Sequence, residues 1–234
     1  MSHHVRDHRS LLAAAEKRLL IWLAHRLPHG IHSDHLTGLA LAGMALAALG
    51  YAGAARDPRL LGLAVAGLAV NWFGDSLDGT LARVRGAERP RYGFYVDHVV
   101  DILGATLLFG GLALSPLMSP VAAIALLAAY LLVSAEVYLA TVVRGVFQMS
   151  FAGIGPTELR ILLAIGTVVF GARLPVAPGG GWTPFDIGGI VAAAGLVAIT
   201  LVNAVRNTRT LADAEPRPAA VRTGSAEARS TCCS

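Results

Sequence analysis

The chain has 234 residues, 55% hydrophobic and 15% charged, with a mean hydropathy of +0.60. A soluble domain of this length does not carry so much apolar sequence in long runs, so composition excludes the soluble classes and leaves an integral membrane protein. The formal net charge is +4 and Lys17 is the only lysine, so nearly all the basic charge is arginine. Arginine with abundant Ala, Gly and Leu points to a high-GC, bacterial coding sequence. Cys232 and Cys233 are adjacent and make neither a disulfide framework nor a metal knuckle; Thr231 stands where a prenylation box needs cysteine.

In chain order, residues 1–8 are polar, His-rich and expected to be disordered, with His3 and His4 too few for a metal site. Residues 9–30 read as an amphipathic helix, with Leu12, Ala15, Leu19, Leu23 and Leu27 on one stripe and Arg9, Glu16, Lys17 and Arg26 mostly on other faces. It is too charged to span, so it is expected to lie at the interface beneath anionic lipid, ending at Pro28 and Gly30. It lacks the apolar core and small-residue cleavage site of a signal peptide, and none is expected. Six apolar segments follow, over residues 35–54, 60–83, 93–114, 121–143, 157–170 and 187–205, each near the 20 residues that cross the hydrocarbon, the fifth being the shortest. They predict an all-α membrane domain over 35–206, six transmembrane helices preceded by one interfacial helix. No internal repeat is evident. Residues 212–234 are rich in Ala, Arg, Ser and Pro and predict a disordered tail.

Basic residues set the orientation. With the N-terminus inside, sixteen of the nineteen fall on the cytoplasmic side, leaving Arg56, Arg59 and Arg173 outside. The expectation is N-in and C-in, in the cell (inner) membrane, with the ends of helices two and three near residues 83–93 facing the cytoplasm.

The second and third spans carry Asp75, Asp78, Asp97 and Asp101. A charged side chain at the centre of a membrane helix costs about 2.5–3.5 kcal/mol on insertion scales, so four in adjacent spans imply a task. On a helix Asp75, Asp78, Gly79, Ala82 and Arg83 share one face, and Asp97 and Asp101 lie one turn apart on the next. Carboxylates at such spacing suit Mg²⁺ or Mn²⁺, and two divalent ions could clamp a diphosphate for in-line displacement. Gly79 would let a nucleotide approach the helix backbone, Arg83 could hook a phosphate or ribose, and one aspartate could serve as general base. The bland reading is an ion-pair network with the arginines at 83–91. Intramembrane carboxylates also suit an ion-coupled transporter, but that class predicts inverted repeats or broken helices, and neither is evident. A structural or binding membrane protein predicts a broken carboxylate set, whereas this one is whole.

The string Asp75-x2-Asp78-Gly79-x2-Ala82-Arg83, nine residues, then Gly93-x3-Asp97-x3-Asp101 resembles the signature of the CDP-alcohol phosphotransferases at all eight positions. The six-span architecture with its leading interfacial helix resembles the same family over about 200 residues. The resemblance implies that Asp75, Asp78 and Asp97 bind two divalent cations, that Asp101 contributes to the second and acts as base, and that Gly79, Ala82 and Arg83 receive the CDP moiety, with Gly93 in the same signature. It implies attack of an alcohol acceptor on the phosphorus distal to cytidine, release of CMP, a site reached sideways from the cytoplasmic leaflet among membrane lipids, and a homodimer; nucleic acid is not an expected partner. His32-Ser33-Asp34-His35-Leu36-Thr37 departs from the family's Thr-Pro-Asn-x-Leu-Thr approach to the first span, keeping Leu36 and Thr37, which puts Thr37 among the CDP contacts.

CDP-diacylglycerol is the expected donor for a bacterial phospholipid-forming enzyme. The alternative is a choline/ethanolamine-type enzyme using a CDP-amino-alcohol and diacylglycerol, because the Asp97-His98 pair and the Gly155-Pro156-Thr157-Glu158 string resemble that branch. Glu136 and Tyr138 could hold an ammonium group, whereas Arg144, Arg160 and Glu158 flank a region that could receive an acceptor phosphate or lipid head group. Plainer roles stand beside these. Glu136 could snorkel or bond another helix, Arg85, Arg89 and Arg91 could be loop charges, and His98 could pack or support Asp97. Gly43, Ala47, Gly104, Gly188, Gly189 and Gly195 could be helix-packing surfaces.

Overall fold

The computed structural model describes residues 13–144, 156–171 and 181–215. These form α1 (Ala13–Arg26), α2 (Ser33–Gly53), α3 (Leu60–Val84), α4 (Pro90–Ala113), α5 (Pro120–Arg144), α6 (Pro156–Gly171) and α7 (Pro184–Ala214), with no strand among the described residues. Five of them, α2 to α5 and α7, are long and apolar enough to cross a membrane. The predicted fifth span, α6, has 16 residues and at 1.5 Å per residue rises about 24 Å, less than the hydrocarbon thickness. The expected disordered segments at 1–8 and beyond 215 lie outside the described residues.

Local chemistry sets the boundaries. Proline opens α4, α5, α6 and α7, where its missing N–H needs no partner. Thr183 Oγ1 accepts the Asp186 N–H at 3.0 Å while Asp186 returns the bond to the Thr183 N–H, also at 3.0 Å, closing a capping box on α7. The chain leaves α3 through Gly86 at φ 62°, a left-handed conformation glycine adopts without a Cβ clash.

The tightest helix pair is α2 on α3, along a seam of small residues. A Cβ on Gly43 would stand 2.5 Å from the Asn71 nitrogen, and one on Gly74 would stand 2.5 Å from the Leu36 carbonyl oxygen. Close backbone approach of this kind replaces the hydrophobic driving force that helices lack in lipid. Asn71 is buried in that seam, donating to the Ala40 carbonyl at 3.0 Å. The helix α4 packs on α2, α5 bridges α4 and α7, and α1 and α6 both lie on α3. Tyr51 and Thr167, both fully buried, join α2 to α6 through a 2.7 Å hydroxyl pair. The outer surface is apolar, with Val121, Val142, Leu139 and Leu49 each more than 60% exposed, as lipid-facing side chains should be.

Three expectations need correction. The docked face of α1 is Leu20, Leu23, Ala24 and Leu27, while Leu19 is 44% exposed, so the stripe is rotated from the predicted one. Glu16 faces the bundle, accepting from Trp72 Nε1 at 2.8 Å. Among the proposed packing glycines, Gly104 meets Met44 and Gly189 meets Met118, but a Cβ on Gly188 or Gly195 would meet nothing within 4 Å. Arg85, expected as a loop charge, instead donates to the carbonyls of Leu27, Pro28 and Ile31 and so caps the end of α1. Arg89 pairs with Asp34 across exposed surface.

Candidate active site

The face of α3 carrying Asp75 meets the face of α4 carrying Asp97 and Asp101. One carboxylate oxygen from each of these three lies within 4.8 Å of the others, and all three residues are half-buried. Carboxylate oxygens converging at that spacing fit a hard divalent cation, which accepts oxygen ligands and needs the negative charge. Such a cluster is costly to expose to lipid, and its half-buried position keeps it against protein.

Asp78 is turned another way. Its Oδ2 accepts the Thr37 hydroxyl at 2.6 Å and its Oδ1 takes the Gly79 N–H at 2.5 Å, while Ser33 Oγ donates to the Asp78 carbonyl at 3.1 Å. The first turn of α2 thus holds Asp78 at the rim of the trio. Thr37, singled out because Leu36-Thr37 resembles the family approach to the first span, is in direct contact with Asp78 of the signature.

Around the cluster the motif's small residues leave stretches of α3 and of the start of α4 bare. A Cβ on Gly79 would touch only the Arg83 guanidinium at 3.4 Å, and one on Gly93 would meet nothing within 4 Å. Ala82 is half-buried, and Arg83 reaches back along α3 to donate to Thr80 Oγ1 at 3.1 Å. Gly79, unlike Gly74 on the same helix, is therefore not spent on helix packing.

A family model described as CDP-alcohol phosphatidyltransferase matches residues 32–207, which run from the approach to α2 into α7. The chain belongs to the CDP-alcohol phosphatidyltransferase family. A CDP-alcohol phosphatidyltransferase moves phosphate from a CDP-alcohol to an acceptor, and the family uses divalent cations, for which the aspartate trio offers a fitting set. No curated protein matches the chain.

The remaining candidate residues of this CDP-alcohol phosphatidyltransferase do not gather at one point. Arg160, from α6, pairs with Asp75 at 2.7 Å, with both side chains mostly buried. It belongs to the aspartate cluster itself. Tyr138 sits edge-on to His98 at a ring separation of 4.5 Å, and Phe94 covers the other side at 4.0 Å. His98 Nδ1 lies 2.6 Å from the Phe94 carbonyl, so this stack fixes the turn of α4 that carries Asp97. Glu136 and Arg144, by contrast, meet α7: Asn207 donates to Glu136 at 2.6 Å and accepts from Arg144. Tyr138 and Glu136 thus face different helices, although only Val137 separates them in sequence. The side chain of Glu158 lies outside the described residues, as does Gly155.

Sequence reasoning missed Glu16, Trp72 and Thr157. Beside Arg160 these line a mostly apolar groove of about 470 Å³ between α1, α3 and α6, walled also by Leu68 and Ile161. The available signal was Ala13, Leu19 and Leu20, three or four residues from Glu16, although Lys17 and Arg18 beside it suggest the wetted side.

Proposed function

We propose that this protein transfers a substituted phosphate from CDP-diacylglycerol to an alcohol acceptor, releasing CMP, in phospholipid synthesis. The observation that carries the reading is the convergence of the Asp75, Asp97 and Asp101 carboxylates, with Asp75 paired at 2.7 Å to Arg160, which also lines the neighbouring apolar groove. A groove of that character suits a lipid substrate, and its neighbouring cation suits the phosphate at the lipid's head.

In this reading Asp75, Asp97 and Asp101, with Asp78 beside them, hold two divalent cations, Mg²⁺ or Mn²⁺. When bound, those cations clamp the diphosphate and stabilise charge on the departing nucleotide. Thr37, Gly79, Ala82, Arg83 and Gly93 receive the CDP moiety: the bare helix surface at Gly79 admits it and Arg83 lies at its edge. Asp101 takes the proton from the acceptor hydroxyl. The resulting oxygen attacks the phosphorus distal to cytidine, the bond from that phosphorus to the bridging oxygen breaks, and CMP leaves with the electron pair. Arg160 orients the phosphate. The amino-alcohol alternative would favour Glu136 and Tyr138 on one cavity, and their turning from α5 toward α7 and α4 respectively favours the CDP-diacylglycerol reading. Glu136 and Arg144 then serve to tie α5 to α7.

The setting belongs to the proposal too. The basic residues support a bacterial inner-membrane protein with both ends cytoplasmic, six spans with α6 as the fifth, and the site open to the cytoplasmic leaflet. A homodimer is part of the same reading. Purified protein with Mg²⁺ and CDP-diacylglycerol should release CMP when offered the correct member of a panel of serine, inositol, inositol phosphate, glycerol phosphate, choline and ethanolamine. EDTA should abolish that release, and Asp101→Asn should lower it by at least about 10²-fold, the usual scale of a lost general base. Activity unchanged by EDTA, or a folded Asp101→Asn variant at full rate, removes the metal or the base assignment respectively.

A further inference from the structure

We propose that Glu16, on the N-terminal helix α1, is a positioning residue for the transfer reaction, acting through α6 on Arg160. One carboxylate oxygen, Oε1, lies 2.8 Å from Trp72 Nε1, 3.0 Å from Thr157 Oγ1 and 3.4 Å from Ser76 Oγ. Two of these donors come from α3 and one from the first turn of α6. Arg160 follows Thr157 by three residues, on the same face of α6, and its guanidinium meets Asp75 at 2.7 Å. Asp75 in turn precedes Ser76. The contacts therefore close a ring: Glu16 to Thr157, one helical turn to Arg160, across to Asp75, and through the backbone to Ser76 and back to Glu16.

The groove makes that ring consequential. Between α1, α3 and α6 it leaves about 470 Å³ of open space, lined by Glu16, Thr157 and Arg160 at its polar end. Where a groove separates helices, side-chain packing cannot fix their spacing. Among the described residues the other polar tie from α6, Thr167 to Tyr51, lies ten residues further along. At the first turn, the place of α6 relative to α3 rests on Glu16 and Asp75. A carboxylate suits the task because charge-assisted hydrogen bonds are about twice as strong as neutral ones. Displacing a substrate-orienting group by about 1 Å can cost about 10²-fold in rate.

This inference rests on the assignment of Arg160 and Asp75 to the reacting site, and the experiment separates the two. In purified full-length protein, Glu16→Ala and Thr157→Val should each lower kcat for CMP release about 10- to 100-fold, and Glu16→Gln, which keeps an acceptor oxygen, should recover most of it. Adding Glu16→Ala to Arg160→Ala should slow the enzyme no further. Hydrogen exchange over residues 157–163 should rise in Glu16→Ala and Thr157→Val but hold at α4. A Glu16→Ala variant at the wild-type rate, effects that multiply in the double variant, or unchanged exchange over 157–163 overturns the proposal. Thr157→Val, which removes one hydroxyl from a helix that otherwise keeps its packing, carries the test if Glu16→Ala does not fold. If the wild-type protein turns over no CDP-linked donor, the reaction assignment falls, and exchange alone still decides whether Glu16 positions α6.

Discussion

Gly74→Ala places a methyl group where the α2–α3 seam has no room for one. The new Cβ would stand 2.5 Å from the Leu36 carbonyl oxygen, 2.7 Å from the Ala40 nitrogen and 3.0 Å from its Cα. All three are backbone atoms, so no rotamer change relieves the overlap. Restoring ordinary contact requires the helices to part by about 1 Å. That displacement would stretch the Thr37–Asp78 hydrogen bond, now 2.6 Å, past the range in which it counts as one. Overpacking against backbone costs about 3 kcal/mol, and better helix propensity returns about 1 kcal/mol, leaving a net loss of about 2 kcal/mol. CMP release should drop by about 10²-fold, the scale of a 1 Å misplacement. Gly79→Ala is the matched control, because its Cβ would meet only Arg83 at 3.4 Å. It should fold as stably as the wild type or slightly better, and lose activity through a raised KM for the CDP donor. The assay pairs thermal unfolding in detergent with CMP release on both variants. A Gly74→Ala protein with wild-type stability and rate would refute the account of the seam; a Gly79→Ala protein that unfolds early would refute the bare-surface account of the motif glycine.

Two further outcomes follow from bonds remote from the chemistry. Thr167 already donates to the Leu163 carbonyl at 2.7 Å, so Tyr51 must be the donor in their pair, and Tyr51→Phe should cost about 0.5–1.5 kcal/mol in unfolding measurements while CMP release is unchanged. Arg85→Ala releases the carbonyls of Leu27, Pro28 and Ile31, and backbone hydrogen exchange over residues 27–31 should quicken while α4 exchanges as before.

The grouping of the aspartates was legible in sequence because helical spacing fixes which side chains share a face. Asp75 with Gly79 and Arg83, and Asp97 with Asp101, needed no knowledge of the rest of the fold to be grouped. Contacts between distant segments were a different matter. Arg160 reads as a basic residue near a helix start, and nothing local shows that Asp75, 85 residues earlier, receives it. Glu16 reads as the wetted side of an interfacial helix because its donors Trp72 and Thr157 lie 56 and 141 residues away. On α1 the sequence offers leucine at 19, 20 and 23, so two adjacent stripes compete, and only the docking surface of α3 selects the one through Leu20 and Ala24. Glu136 and Tyr138 mislead for the opposite reason: closeness in sequence suggests a shared cavity, whereas a step of two residues on a helix turns side chains to different sides.

The Arg85 clamp also fixes an order of assembly. The carbonyls it caps belong to residues 27, 28 and 31, yet the guanidinium is made only after the whole of α3, and the Thr157 hydroxyl that meets Glu16 emerges 141 residues after its partner. Synthesis proceeds from the N-terminus. Although α1 leaves the ribosome five helices before α6, it therefore cannot reach its final set of bonds until α6 has been made.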